Sequence, residues 1–120
     1  MRILVIDDNE AVTQLLADVL ALDDHAVTTA DGGTRGLALL QEESYDVVFL
    51  DLWMPDLDGM QIYEWLKIYR PSQAERVVFI TGDAVSHATR SFLAAAGRPV
   101  VSKPFDIMRI SEMVGYVAAA

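Results

Sequence analysis

Four short apolar runs in this chain each end abruptly in a polar group, and those groups are the ones that could do chemistry together. Asp7-Asp8 follow Ile3–Ile6, Asp51 follows Val47–Leu50, Thr81 follows Val77–Ile80, and Lys103 closes the brief run at Val100-Val101 after Ser102. A carboxylate at the end of a buried run costs free energy unless it is paired, hydrogen-bonded or bound to a metal. Three carboxylates in one pocket would repel, so that without a cation at least one would protonate. Every available ligand is oxygen, which favours Mg²⁺, with Mn²⁺ as the alternative, and argues against a typical zinc site. With such an ion on Asp8 and Asp51, and Asp7 reached directly or through water, the pocket could accept a phosphoryl group that bare carboxylates would reject. Asp51, ionised at neutral pH without help from a base, is the candidate nucleophile and would form an aspartyl-phosphate. Lys103 would neutralise phosphoryl oxygens, and Thr81 would hydrogen-bond them.

These groups meet only if the fold brings them to one edge. Strand-like runs rich in Val, Ile and Phe alternate five times with helix-period segments, the pattern of βα units in a parallel sheet. Val12, Leu15, Leu16, Val19 and Leu20 form the first helical stripe, closed by Asp23-Asp24. Ala26–Thr29 reads as a second strand, and Leu37 with Leu40 as the inner face of a weaker helix containing Gly36. Ile62, Leu66 and Tyr69 mark the helix after Asp51, which Pro71 terminates. Val85, Ala88, Phe92 and Ala95 are expected inward on the next helix, with Gly97 as its C-cap. Ile107, Ile110, Met113, Val114 and Val117 stripe the last. Right-handed crossovers then place the strand ends on one edge, where open α/β sheets bind ligands. Taken singly, Asp7 or Asp8 reads equally well as a helix N-cap, Thr81 as a turn hydroxyl and Lys103 as a solvated cation. Their joint occurrence at four strand ends is what argues for a site.

The 120 residues fit one domain, 1–120. No apolar run approaches the roughly 18 residues a membrane span needs, and the N-terminus lacks a secretory pattern, so the expected location is the cytoplasm with no membrane contact by this domain. A net charge of −9 argues against direct binding to nucleic acid. Zero cysteines exclude disulfides, thiolate metal sites and cysteine nucleophiles. His25 and His87 lie outside any ligand-like spacing.

Asp7-Asp8, Asp51 with Met54-Pro55-Asp56-Leu57-Asp58-Gly59, Thr81-Gly82 and Lys103-Pro104-Phe105 together resemble the receiver domain of two-component response regulators, over almost the whole chain. The resemblance implies a flavodoxin-like (βα)5 fold with five parallel strands in the order 2-1-3-4-5. It implies that Asp51 takes its phosphoryl group from a phosphohistidine on a histidine kinase or phosphotransfer domain. It also implies Mg²⁺ on Asp8, Asp51 and the carbonyl of Trp53, and a cis Lys103-Pro104 peptide. Such a domain assists its own phosphorylation and dephosphorylation without being an enzyme in its own right. Trp53 and Asp83 occupy positions that flank the path of attacking water in the family, so they are expected to modulate hydrolysis. Receivers usually carry Tyr or Phe three residues before the lysine; here that switch position is Val100, leaving Thr81 and the loop after it to move the following helix. The short Gly97-Arg98-Pro99 approach and Phe79–Asp83 resemble receivers of hybrid sensor kinases, more than those of free-standing regulators.

Three rivals remain. A flavin carrier on the same fold would want a neutral loop after the first strand, where Asp7-Asp8-Asn9-Glu10 is anionic. A phosphohydrolase with an aspartate nucleophile would want a second Asp at Trp53. A phosphorylation-independent, receiver-like interaction module is the alternative function, although such modules typically lose an acid, the threonine or the lysine.

Overall fold

Alternation along the strands divides the core into two halves. The computed structural model describes residues 1–82 and 86–119. Five strands, β1 (Arg2–Ile6), β2 (Ala26–Ala30), β3 (Val47–Asp51), β4 (Val77–Thr81) and β5 (Val100–Ser102), form one parallel sheet in the order β2-β1-β3-β4-β5. Helices α1 (Glu10–Leu22), α2 (Gly33–Glu42), α3 (Gly59–Tyr69), α4 (Pro71–Ala74), α5 (His87–Ala96) and α6 (Ile107–Ala118) connect and flank them. Because successive strand side chains point to opposite faces, Leu4, Ile6, Val48, Leu50, Val77 and Phe79 pack with Leu40, Ile62, Tyr63 and Leu66 of α2 and α3. Ile3, Val5, Val47, Phe49, Val78, Ile80 and Val101 pack instead with Leu16, Val19 and Leu20 of α1 and with Ile110, Met113, Val114 and Val117 of α6. This is the doubly wound flavodoxin-like architecture expected from the sequence.

Three stripe residues are exposed: Leu15 in the middle of α1, Tyr69 at the last position of α3 and Ile107 at the first of α6. Helix α5 turns inward on Thr89 and Phe92, with Leu93 and Ala96 packed against the core, whereas Ala88 and Ala95 are exposed. Val85 lies outside the described residues. Pro71 does end α3, but it also starts the one-turn α4 at its first position, where the missing N–H is no loss. The buried Gln73 of α4 brackets Tyr45 through both backbone groups, at 2.7 and 3.0 Å. Gly36 has a packing reason, because a Cβ there would meet Ile6 Cδ1 at 2.6 Å.

Helix α2 has no cap of its own. Gly32 supplies no side chain, and Asp56, from the loop after β3, accepts from Gly33 N–H at 3.2 Å and from Thr34 N–H at 2.9 Å. The Thr34 N–H, followed by that of Leu57, holds the Asp56 carboxyl well below the usual carboxylate range. Asp56→Ala is expected to cost about 1 kcal/mol at neutral pH, the usual worth of an N-cap, as measured by urea denaturation. With a folded pKa below the unfolded one, the contribution is present above the ordinary carboxylate pKa and fades as pH falls through the folded value.

Candidate functional site at the carboxyl edge of the sheet

Asn9, not either aspartate, caps α1: its side chain accepts from Ala11 N–H at 3.0 Å and Val12 N–H at 3.4 Å. That leaves Asp7 and Asp8 without a capping role. Asp7 has no exposed surface, and Asp51, the last residue of β3, is only 4 % exposed, while Asp8 faces solvent. One carboxylate oxygen from each of the three lies within 4.8 Å of the others. Asp7 Oδ1 accepts from Asn9 N–H at 2.9 Å. Lys103 reaches the pair from β5, its Nζ 2.8 Å from Asp7 Oδ2 and 3.6 Å from Asp51 Oδ2. Lys103 is thus the ion-pair partner of the buried Asp7 Oδ2.

One cation among three carboxylates leaves the pocket under-neutralised. Burial, then the charge of Asp7, push the Asp51 carboxyl up to about 7 from 3.8, against the opposing pull of Lys103. Burial alone would lower the Lys103 ammonium; the adjoining carboxylates of Asp7 and Asp51 outweigh it and raise it. Three carboxylates within reach of one another, two of them buried and sharing one ammonium, and an all-oxygen donor set fit a hard divalent cation. They do not fit a site built for zinc.

Thr81 ends β4 at the same edge, fully buried and paired in register with Ser102, and its carbonyl accepts Lys103 N–H at 2.8 Å. By strand phase it belongs with Val77 and Phe79, whereas Asp51 follows Val47 and Phe49, so the hydroxyl approaches from the opposite phase. The Lys103-Pro104 peptide is cis. Val100 is half-buried opposite Phe79 and packs into the core. Asp83 lies outside the described residues. Trp53, two residues past Asp51, turns its ring toward α5 and donates from Nε1 to Thr89 Oγ1 at 3.0 Å.

Asp58 and Gly59, which the sequence marks only as motif and turn residues, and Thr89 frame this edge. The buried Gly59 lies against the Asp51 carbonyl, and its N–H donates to Leu52 O at 3.0 Å. Asp58 caps α3 in a reciprocal capping box with Gln61, a signal present in the spacing. Thr89 gave no local signal, since its contact with Trp53 spans 36 residues of chain.

Comparison with known proteins places the chain. The sequence profile of the response regulator receiver domain matches residues 3–115. The transcriptional regulatory protein KdpE of Staphylococcus aureus is 46% identical over 106 residues, 88% of this chain and 45% of that protein. The sensory/regulatory protein RpfC of Xanthomonas campestris is 33% identical over 122 residues, 100% of this chain and 17% of that protein. The chain thus spans less than half the length of either relative. A response regulator receiver domain protein from Clostridium thermocellum superposes with a TM-score of 0.83 at 31% identity, covering 98% of this chain and 94% of that one. No helix among the described residues is long and apolar enough to cross a membrane. The chain belongs to the response regulator receiver domain family, the signalling domains of two-component systems.

Proposed function

We propose that Asp51 accepts a phosphoryl group from a phosphohistidine on a histidine kinase or phosphotransfer partner in the cytoplasm, with the 120 residues acting as one phosphoacceptor domain. The observation that carries this reading is the buried pair Asp7–Asp51 bridged by Lys103, whose single positive charge faces two buried carboxylates. An Asp51 carboxylate oxygen attacks phosphorus as the P–N bond breaks, and the imidazole keeps the electron pair and is protonated by solvent. Asp8, Asp51 and Asp7, with the carbonyl of Trp53, would hold Mg²⁺, or Mn²⁺ in its place. That ion, when bound, neutralises phosphoryl oxygens and lets the carboxylates stay ionised side by side. Lys103, already set between Asp7 and Asp51, neutralises another oxygen, and Thr81 donates its hydroxyl to a third. Val100 brings no ring to the switch position, so the output passes through the segment after Thr81 into α5.

Hydrolysis of the product sets how long the signal lasts. Trp53 and Asp83 flank the water path in this reading, and the bulk of Trp53 slows attack. Trp53→Asn is expected to shorten the phosphoryl lifetime several-fold, followed by release of phosphate from the labelled protein; an unchanged lifetime contradicts that role. As the parent protein, a hybrid sensor kinase fits the likeness to RpfC, and a transcriptional regulator fits the likeness to KdpE. Either presents the same phosphoacceptor. Beryllofluoride with Mg²⁺ tests the function. A spectral change in the wild type that disappears in Asp51→Asn supports it, whereas a response that survives Asp51→Asn, or none at all, favours an interaction module without phosphorylation.

A further inference from the structure

Trp53 is 43% exposed as a residue, yet its indole N–H goes to a hydroxyl with no exposed surface, Thr89 Oγ1. That hydroxyl also meets Ser86 Oγ at 2.8 Å, and Ser86 in turn accepts Thr89 N–H at 3.3 Å as the N-cap of α5. Thr89 is therefore served locally, and an exposed indole would be served by solvent, so satisfaction alone does not require them to meet. What the bond adds is position. It fastens the loop two residues beyond Asp51 to the first turn of α5.

Little slack exists on either side of this link. Leu52 N–H donates to Ile80 O at 3.2 Å, Leu52 O accepts from Gly59 N–H, and Gly59 abuts the Asp51 carbonyl. On the far side, α5 is seated by Phe92, whose ring lies 5.4 Å from Phe79 and 6.0 Å from Tyr63 in edge-to-face contact. The first turn of α5 is thus reached from the acidic pocket by two routes, the chain running from Thr81 to Ser86 and the side-chain path Asp51–Trp53–Thr89.

We propose that the Trp53–Thr89 hydrogen bond is a transmission contact, which passes occupancy of Asp51 by a phosphoryl group to the N-terminal turn of α5 in parallel with the Thr81 segment. The proposal rests on Asp51 being the phosphoacceptor. Thr89 touches no phosphoryl ligand, so removing its hydroxyl severs the relay and leaves the chemistry in place. Thr89→Val deletes the hydroxyl at nearly constant volume, and Thr89→Ser retains it.

The full chain and both variants are treated with acetyl phosphate and Mg²⁺, with intact mass reporting occupancy and amide hydrogen exchange reporting α5. All three should gain a phosphoryl mass. At equal occupancy the wild type and Thr89→Ser should change α5 exchange alike, and Thr89→Val should show a response at least threefold smaller. An equal response in Thr89→Val, or a phosphorylated wild type with no change in α5, overturns the transmission contact while leaving the phosphoacceptor intact. A wild type that gains no mass overturns both. Should Thr89→Val not fold, Thr89→Ala, which also drops the hydroxyl, gives the same comparison.

Discussion

Asp51→Asn is expected to make the metal-free protein more stable at pH 8 while abolishing its ability to take a phosphoryl group. Asp51 is almost fully buried, with buried Asp7 beside it and a single ammonium between them. Burial and the Asp7 charge raise its folded pKa to about 7, above the ordinary 3.8. A raised folded pKa means the folded state holds the proton more tightly than the unfolded chain. The associated stability is complete below about pH 4, declines as pH climbs, and is gone once pH passes the folded value near 7. Above that, the fold carries an ionised carboxylate it disfavours.

Asparagine keeps the shape and removes the charge. One pKa unit is about 1.4 kcal/mol, but the cluster titrates together, so the gain is set at about 1–3 kcal/mol. Lys103 keeps its nearer partner, Asp7. Urea denaturation with a chelator should therefore give a higher midpoint for Asp51→Asn at pH 8 and a shrinking difference toward pH 5. Mg²⁺ should narrow or erase the difference, since a ligand at about 100 times its Kd stabilises by about 2.7 kcal/mol and, on the proposed site, the variant would lose one of the metal's ligands. A less stable Asp51→Asn in chelator at pH 8 would contradict the electrostatic account.

Gly59→Ala is expected to be the most damaging small substitution near the site. By helix propensity alone, alanine should gain about 1 kcal/mol over glycine. At Gly59, however, the new Cβ would overlap the Asp51 carbonyl oxygen, with the carbonyl carbon at 3.0 Å and Leu52 Cα at 3.1 Å. These are backbone atoms of Asp51 and Leu52, at and just past the end of β3, and cannot swing aside. Overpacking of this kind costs at the upper end of the usual 1–3 kcal/mol, about 3 kcal/mol, and displaces Asp51. Gly115→Ala in α6 is the control, because its Cβ would meet nothing within 4 Å and propensity should prevail. Thermal melts should move in opposite directions for the two variants. Parallel shifts would mean that the close approach at Gly59 does not matter.

The contrast between these glycines shows which parts of the molecule were legible from sequence. Strand runs, their order by family likeness, and the polar residues that end them were readable, because an apolar run stopping at an acid is a local pattern. The stripes at Leu16–Leu20 and Ile110–Val117 were readable for the same reason. The inward face of α5 was partly misplaced because Ala94, Ala95 and Ala96 carry almost no phase, and because Thr89, buried here, is a polar residue that spacing assigns to the outside. The cap of α2 was invisible, since Asp56 lies 23 residues from the Gly33 N–H it accepts. Likewise the tight contact behind Asp51 depends on how α3 returns to β3. Sequence spacing reports ends and faces; long-range fits such as Gly59 against Asp51 need the fold.

Intact mass after incubation with acetyl phosphate bears most directly on whether a dication and Lys103 convert the acidic cluster into a phosphoryl acceptor. The expected result is one added phosphoryl group with Mg²⁺ present, none in chelator, and none in Asp51→Asn. No added mass with Mg²⁺, or the same added mass in Asp51→Asn, would contradict it.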